Sequence, residues 1–411
     1  MRILQVHNFY QQPGGEDQVF AAEFALLTAR GHQVKQYSVH NDSLHGISRL
    51  RTFSRTLWNG QTYQAIRRLL QSESIELVHA HNTFPLISPA LYYAAHNANI
   101  PVVQTLHNYR LLCPAATFFR DGNVCEQCLG SRLPYQAIVH RCYRQSAAAS
   151  ATAVSMLAVH HAAGTWTSKI DAYIALTDFA RQKFIDGGLP PEQIYVKSGF
   201  LAADPGLGAG SGAQPYALFI GRLVEEKGID LLCRAWSRLG SVIPLKIAGE
   251  GPPGFLTRPV SGIEYLGRCE RAHILELLKG AAFLIMPSLW YEGFPMVIVE
   301  ALACGTPVIA SALGSMNELI QDGVNGFRFS PGDANALVSC VKNALHDGKL
   351  AAMRAATRTC YEQNYTADRN YETLMSIYNA ACNRRATRCA IPNRSYKDDR
   401  PTEAASCERR H

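Results

Sequence analysis

The sequence predicts an α/β protein built from two doubly wound parallel sheets that face each other across a cleft. Three observations predict it. The chain has 411 residues, more than one hydrophobic core usually organises. Short apolar runs alternate with segments of helical period from Arg2 to Asp347. The alternation breaks at Leu201–Pro215, where LAADPGLGAGSGAQP is rich in Gly, Ala and Pro and reads as a linker. With 47% hydrophobic and 18% charged residues, disorder is excluded for most of the length.

In order along the chain, Arg2–Val6 reads as a strand and Gln18–Arg30 as a helix ended by Gly31. Strands follow at Gln33–Ser38, Leu77–His81, Val102–Leu106 and Ala172–Ala175, which completes a first Rossmann-like domain over residues 1–200. After the linker (201–215), strands at Tyr216–Ile220, Leu245–Ala248, Ala282–Pro287 and Val308–Ala310 alternate with helices. Those helices are Gly228–Leu239, Arg271–Lys279, Pro295–Ala303 and Ala334–Asp347, giving a second Rossmann-like domain over 216–362. A helix is expected over 363–382, then a disordered basic tail over 383–411.

That tail holds eight Lys/Arg against four Asp/Glu, so it supplies most of the formal charge of +7. The body is only mildly basic, which argues against nucleic acid as a partner. Ala147–Ala163 is the most apolar long run, and its Ser, Thr and His residues make it a packed helix rather than a membrane span. The opening MRILQVHNFY reads as a first strand and not as a cleavable leader, so a cytoplasmic location is expected, with contact at the inner face of the membrane.

Ligands of open parallel sheets sit outside the carboxyl ends of the strands, so the loops there are the ones to inspect. Gly221-Arg222-Leu223-Val224-Glu225-Glu226-Lys227-Gly228 leaves the first strand of the second domain. Gly221 lets the backbone turn close to a ligand, and Arg222 and Lys227 suit a diphosphate; two solvated charges near a helix start are the alternative. In the stretch Tyr291-Glu292-Gly293-Phe294-Pro295-Met296, Pro295 suits a first helical position, and free amides at the helix start can receive phosphate or sugar oxygens. Glu300, farther along that helix, can accept two ribose hydroxyls, and Glu292 can accept sugar hydroxyls; a helix-start acid plus a surface acid is the alternative.

Together these segments resemble the retaining nucleotide-sugar glycosyltransferases of family 4, which have the GT-B fold. The similarity includes the Gly-Arg-Leu…Glu-Lys-Gly loop, Gly249–Pro252 (GEGP), the two glutamates with seven residues between them, Ala301–Ala310 and Asn325-Gly326-Phe327. It is dense over residues 219–333 and looser over the first 200. The resemblance implies that Arg222 and Lys227 hold the donor diphosphate and that Glu292 binds the donor sugar. It implies that Glu300 binds the ribose and that Gly293, Phe294 and Met296 line the sugar and phosphates. Pro295 lacks an N–H and cannot donate. In the first domain, Pro13-Gly14-Gly15-Glu16 looks like the family's glycine loop facing the donor phosphates, and Glu16 faces the acceptor. Thr105-Leu106-His107-Asn108 resembles the segment that puts a histidine beside the reacting centre, with Asn108 in place of the usual acid. His79 and His81 are expected to pack or line the cleft. Lys197-Ser198-Gly199 departs from the family's Lys-Pro-Asn, so no role is carried over to it.

No Asp-x-Asp pair ends a strand, so a transferase without a catalytic metal is expected. A hydroxyl acceptor, such as a lipid-linked saccharide in surface polysaccharide or glycolipid assembly, completes the expected partners. A noncatalytic nucleotide-sugar binder, an epimerase or a phosphorylase of the same fold are the other classes. No lysine context suits the pyridoxal site a phosphorylase needs.

Twelve cysteines are many for a chain expected in the cytoplasm. Cys113, Cys125, Cys128 and Cys142, with 11, 2 and 13 residues between them, suit a tetrahedral structural zinc on an insertion over 113–142. An iron–sulfur cluster, substitution by His140 and plain thiols are the alternatives. Between Ser43 and Leu70, five arginines stand among Leu44, Ile47, Leu50, Phe53, Leu57 and Trp58, the pattern of a basic amphipathic helix on an anionic membrane.

Overall fold

The computed structural model describes residues 1–390 apart from 13, 211, 213, 240, 241 and 252–259. Two sheets of six parallel strands form the two domains. The first contains β1 (Arg2–Phe9), β2 (Gln33–His40), β3 (Leu77–Asn82) and β4 (Val102–Leu106). A short antiparallel hairpin, β5 (Phe119–Arg120) and β6 (Asn123–Val124), interrupts it before β7 (Ala172–Ala175) and β8 (Ile194–Val196). The second contains β9 (Ala217–Ile220), β10 (Leu245–Ala248), β11 (Ile263–Gly267), β12 (Phe283–Met286), β13 (Val308–Ser311) and β14 (Gly326–Phe329).

The strands β9, β12 and β13 are nearly unbroken apolar runs, as burial on both faces requires, whereas β1, β3 and β4 bury polar residues such as Gln5, His7, His79, His81 and Gln104 among apolar ones. The spatial order is β2-β1-β3-β4-β7-β8 in the first sheet and β11-β10-β9-β12-β13-β14 in the second. Each order reverses direction once, beside β1 in the first domain and between β9 and β12 in the second. Such reversal points open a crevice at the strand ends. The glycine segment follows β1, the Arg222–Lys227 loop follows β9, and the Glu292 loop follows β12.

Four expectations need correction. The C-terminal helix is Ala367–Ala390, longer than 363–382, so residues 383–390 are ordered. Its extension is held by charge as well as by apolar burial: Arg385 lies 2.7 Å from the buried Asp171 carboxylate, and Arg388 lies 3.4 Å from it. This helix returns to the first domain, packing Leu374, Ile377, Tyr378 and Ala381 on Ile3, Leu77 and Ile174. The tail beyond Ala390 lies outside the described residues. The basic stretch over 43–70 is two helices, Arg49–Leu57 and Gly60–Ser72, broken where the Asn59 side chain caps the second. The first helix starts at Gly15 rather than Gln18, because the Asp17 carboxylate accepts from the Gly14 amide at 2.8 Å and fixes the turn. Pro295 precedes its helix as N-cap instead of opening it; the helix is Met296–Ala303.

Candidate active site

On the second-domain wall, Lys227 and Glu292 meet across the reversal point. Lys227 Nζ donates to both carboxylate oxygens of Glu292, at 2.7 and 3.0 Å, and Ser288 Oγ donates to the same carboxylate at 2.6 Å. Burial pushes the Glu292 carboxyl up. The Lys227 charge and the bonds from Lys227 and Ser288 outweigh burial and hold it below the usual range. Backbone geometry fixes the pair: Gly228 has φ +74°, and a Cβ there would sit 2.0 Å from the Pro287 carbonyl, so the two loops touch only through a glycine. The Leu289 amide, donating to the Glu226 carbonyl at 2.9 Å, adds a second tie.

Glu300 is buried on the Met296–Ala303 helix and lies 3.1 Å from Arg271. Burial raises its carboxyl, and Arg271 partly offsets this. Arg222 stands apart, half-exposed, with Glu226 3.8 Å away. Gly221 belongs to the same turn.

The first-domain wall is built differently. His107 follows β4, and its Nε2 lies 3.0 Å from Nδ1 of His81. Burial, together with nearby His7, His79 and Lys197, holds its imidazole well below the usual range, so it is neutral near pH 7. His79, lowered to about 4 chiefly by burial, bonds Thr105 Oγ1 and the Tyr378 hydroxyl, both at 2.8 Å, joining the C-terminal helix to the strands. Glu16 lines the cleft beside Asn82 and Asn108, at 3.4 and 3.5 Å. Desolvation, reinforced by Asp17, pushes its carboxyl up to about 8.

The two walls meet at these loops. A Cβ on Gly293 would fall 2.5 Å from the His107 carbonyl, and one on Gly15 would lie 3.8 Å from the Met296 side chain. Phe294 and Met296 pack beside Gly199 at the domain junction. Thus Gly14, Gly15, His107, Lys227, Glu292, Gly293, Phe294 and Met296 converge on one cleft, with Glu300 farther along its wall.

Two contributors escaped the sequence reading. Arg271, besides facing Glu300, reaches Gln18 of the other domain at 3.4 Å. Lys197 is buried with its Nζ 2.7 Å from Glu23, whose other oxygen lies 3.5 Å from both His79 and His81. Glu23, His79 and His81 form a ligand-like trio, but the Lys197 ammonium already neutralises the carboxylate. A signal existed: Glu23 is a charge on the apolar stripe Val19, Phe20 and Leu27 of its helix.

Several residues of the resembling segments are structural. A Cβ on Gly249 would sit 1.8 Å from the Gly221 carbonyl, which explains the glycine opening GEGP; Pro252 lies outside the described residues. Asn325 closes its own turn, accepting from the Gln321 amide at 2.8 Å and donating to the Leu319 carbonyl at 3.0 Å. The four cysteines Cys113, Cys125, Cys128 and Cys142 line one small cavity away from the cleft.

Two family models match the chain. One, described as glycosyltransferase family 4, covers residues 14–198; the other, glycosyl transferases group 1, covers residues 214–347. The chain belongs to this glycosyltransferase family. An uncharacterized glycosyltransferase of Methanocaldococcus jannaschii is 24% identical over 80% of this chain and 81% of its own length. The phosphatidyl-myo-inositol mannosyltransferase of Mycobacterium leprae is 30% identical over 51% of this chain and 61% of its own. The match to the glycogen synthase of Mycobacterium tuberculosis spans only 39% of that protein. Among solved structures, Anabaena HepE in complex with UDP-glucose has a TM-score of 0.63 at 19% identity, covering 92% of this chain and 100% of HepE. Sucrose-phosphate synthase of Thermosynechococcus elongatus has a TM-score of 0.67 at 16% identity, over 92% and 98% of the two chains. These likenesses establish the GT-B fold of the family member described here. Among the described residues, no helix is long and apolar enough to cross a membrane.

Proposed function

We propose that this glycosyltransferase moves a hexosyl group from a nucleoside-diphosphate sugar to a hydroxyl of a lipid-linked saccharide, with retention at the anomeric carbon and without a catalytic metal. The observation that carries the reading is the Lys227–Glu292 pair at the reversal point, facing the glycine helix start and His107.

The chemistry follows from that arrangement. The bond between the anomeric carbon and the diphosphate oxygen breaks, and its electron pair stays on the diphosphate. Lys227, Arg222 swung from Glu226, and the free amides at the starts of the Gly15 and Met296 helices stabilise the growing negative charge. Glu292 stays ionised and accepts hydrogen bonds from the donor sugar's hydroxyls. Glu300 accepts from the ribose. The acceptor oxygen then bonds the anomeric carbon on the face the diphosphate leaves, and its proton passes to a departing phosphate oxygen. Neutral His107 orients the acceptor hydroxyl. Closure of the domains excludes water, which would otherwise compete as acceptor.

Support for a lipid-linked acceptor comes from the helix Arg49–Leu57. Its Leu50 is 82% exposed, Phe53 is exposed, and Arg49 and Arg51 flank them. Thr56 of the same helix lines the cavity that His107 and Arg110 also line. A basic, apolar-tipped helix at the acceptor side suits an anionic bilayer. HepE binds UDP and UDP-glucose, which makes UDP-sugars the first donors to assay.

The test is a donor screen with UDP-, GDP- and ADP-sugars, read by thermal shift and by nucleoside diphosphate release. Stabilisation by one donor and its cleavage, lost in Lys227→Ala, supports the reading. Binding without any turnover toward a panel of hydroxyl acceptors or water overturns it.

A further inference from the structure

We propose that Cys113, Cys125, Cys128 and Cys142 together bind one zinc ion that holds the insertion in shape. These residues come from three stretches of the insertion, with Cys125 and Cys128 on one turn, yet they line a single cavity together with Ala115, Phe119 and Ala137. Four soft sulfur ligands select zinc or iron over hard cations.

The insertion suits such a staple. Its satellite apolar cluster is Cys128, Ala137 and Val154, with Ile138 and Cys142 packed against them, while Cys113 and Phe118 join the main first-domain core. Two of the satellite cluster's five residues are themselves thiols. The backbone is costly as well: of nine non-glycine residues with positive φ among the described residues, four fall in the insertion, Ala116, Phe118, Asp121 and Arg141, and Arg144 and Gln145 follow it directly. A metal would tie the ends of this path together where the satellite cluster is small.

Among the described residues no three of these sulfurs lie within 4.8 Å of one another, so the ion draws them together on binding. The β5–β6 hairpin delivers Cys125, whose amide donates to the Phe118 carbonyl at 2.7 Å. The turn between Cys125 and Cys128 is closed by the Leu129 amide on the Glu126 carbonyl at 2.9 Å, and the Ser131 amide turns back to the Cys128 carbonyl at 3.2 Å. Such a turn points two side chains the same way. Cys113 and Cys142 approach from the other ends of the loop. All four are free of disulfides. On binding, four S–H bonds lose protons to solvent and four Zn–S bonds form, leaving a site of charge −2. Arg120 lines the same cavity and offsets part of that charge.

The metal acts at a distance on the cleft. Phe118, between the first and second cysteines, packs edge-on to Tyr291 with ring centres 6.1 Å apart, and Tyr291 adjoins Glu292. A Cβ on Gly122 would lie 3.2 Å from the Glu225 carboxylate, so the hairpin also abuts the Arg222–Lys227 loop. The insertion is therefore a positioning device for the donor wall, and zinc fixes its shape.

Full-length protein purified under reducing conditions without chelator is analysed for zinc and iron. About one zinc per chain is expected. A mercurial that titrates thiols releases that zinc, detected with a colorimetric chelator, and this readout requires no variant to fold. Cys125→Ser and Cys128→Ser each lose at least nine-tenths of the metal, while Cys233→Ser and Cys340→Ser retain it. Cobalt in place of zinc gives intense tetrahedral thiolate bands. Absence of metal with four titratable thiols, stoichiometric iron instead, or a disulfide among the four would each overturn the proposal. Metal content is measured independently of sugar transfer, so its outcome stands apart from that of the donor screen.

Discussion

The two walls of the cleft handle charge in opposite ways. On the second-domain wall, Lys227 neutralises Glu292 and Arg271 faces Glu300. On the first-domain wall, the cleft-lining groups are neutralised by desolvation: Glu16 is pushed up to about 8 and His107 is held well below its usual range. A charged leaving group needs fixed charges in place before the bond breaks, whereas a hydroxyl acceptor needs neutral hydrogen-bonding groups. The asymmetry supports the proposed placing of the donor diphosphate mainly on the second-domain wall and of the acceptor on the first.

The largest way to break the contrast is to remove the fixed cation. Lys227→Ala is expected to lower kcat by about 10²–10³. Glu292, left buried without its partner, then regains a raised pKa. Steady-state kinetics beside a circular dichroism check of folding measures this. Unchanged kcat would assign the diphosphate elsewhere.

Next is the buried pair behind the acceptor wall. Lys197→Met strands the Glu23 carboxylate and should cost about 3–5 kcal/mol of stability in urea unfolding. The double variant Lys197→Met with Glu23→Gln should recover much of it, because no charge is then left unpaired. Equal losses in both would mean the pair contributes only through packing.

Gly293→Ala forces a Cβ against the His107 carbonyl and moves the walls apart. We expect roughly a tenfold loss in kcat/KM with the fold intact, since small misplacement of reacting groups is costly. Wild-type kinetics would show that the walls need not touch there.

The smallest effect is a pH slope. Glu16 titrates at about 8 in the folded chain against 4.5 when unfolded, so its proton stabilises the fold fully below about 4.5. That contribution fades as pH rises through about 8. Melting temperatures of Glu16→Gln should therefore fall less between pH 5 and 9 than those of the wild type. Parallel curves would show that Glu16 is well solvated.

These contrasts also explain what was readable in advance. The second domain announced itself because its chemistry sits in contiguous loops: Arg222 to Gly228 and Glu292 to Glu300 each fall within nine residues, so composition and spacing expose them. Inner strands such as β4, β7 and β10 were legible to the residue because apolar residues dominate them, with Gln104, Thr105 and Lys246 the exceptions. The strands β8, β11 and β14 were missed; all are at sheet edges, short, and mixed with Tyr, Glu, Arg or Gly, where the apolar signal fades. The acceptor wall was harder. Glu23 and Lys197 are 174 residues apart and meet only through the fold. The C-terminal helix was cut short because residues 384–388 look like a polar tail until Asp171 appears beneath them.

The assignment of the two walls is tested most directly by a crystal structure of the chain with UDP. The account predicts its diphosphate on the second-domain wall, within about 3 Å of Lys227 Nζ and joined by Arg222 released from Glu226. A diphosphate bound instead among Glu16, His107 and Arg110, with Lys227 still closed on Glu292, would contradict it.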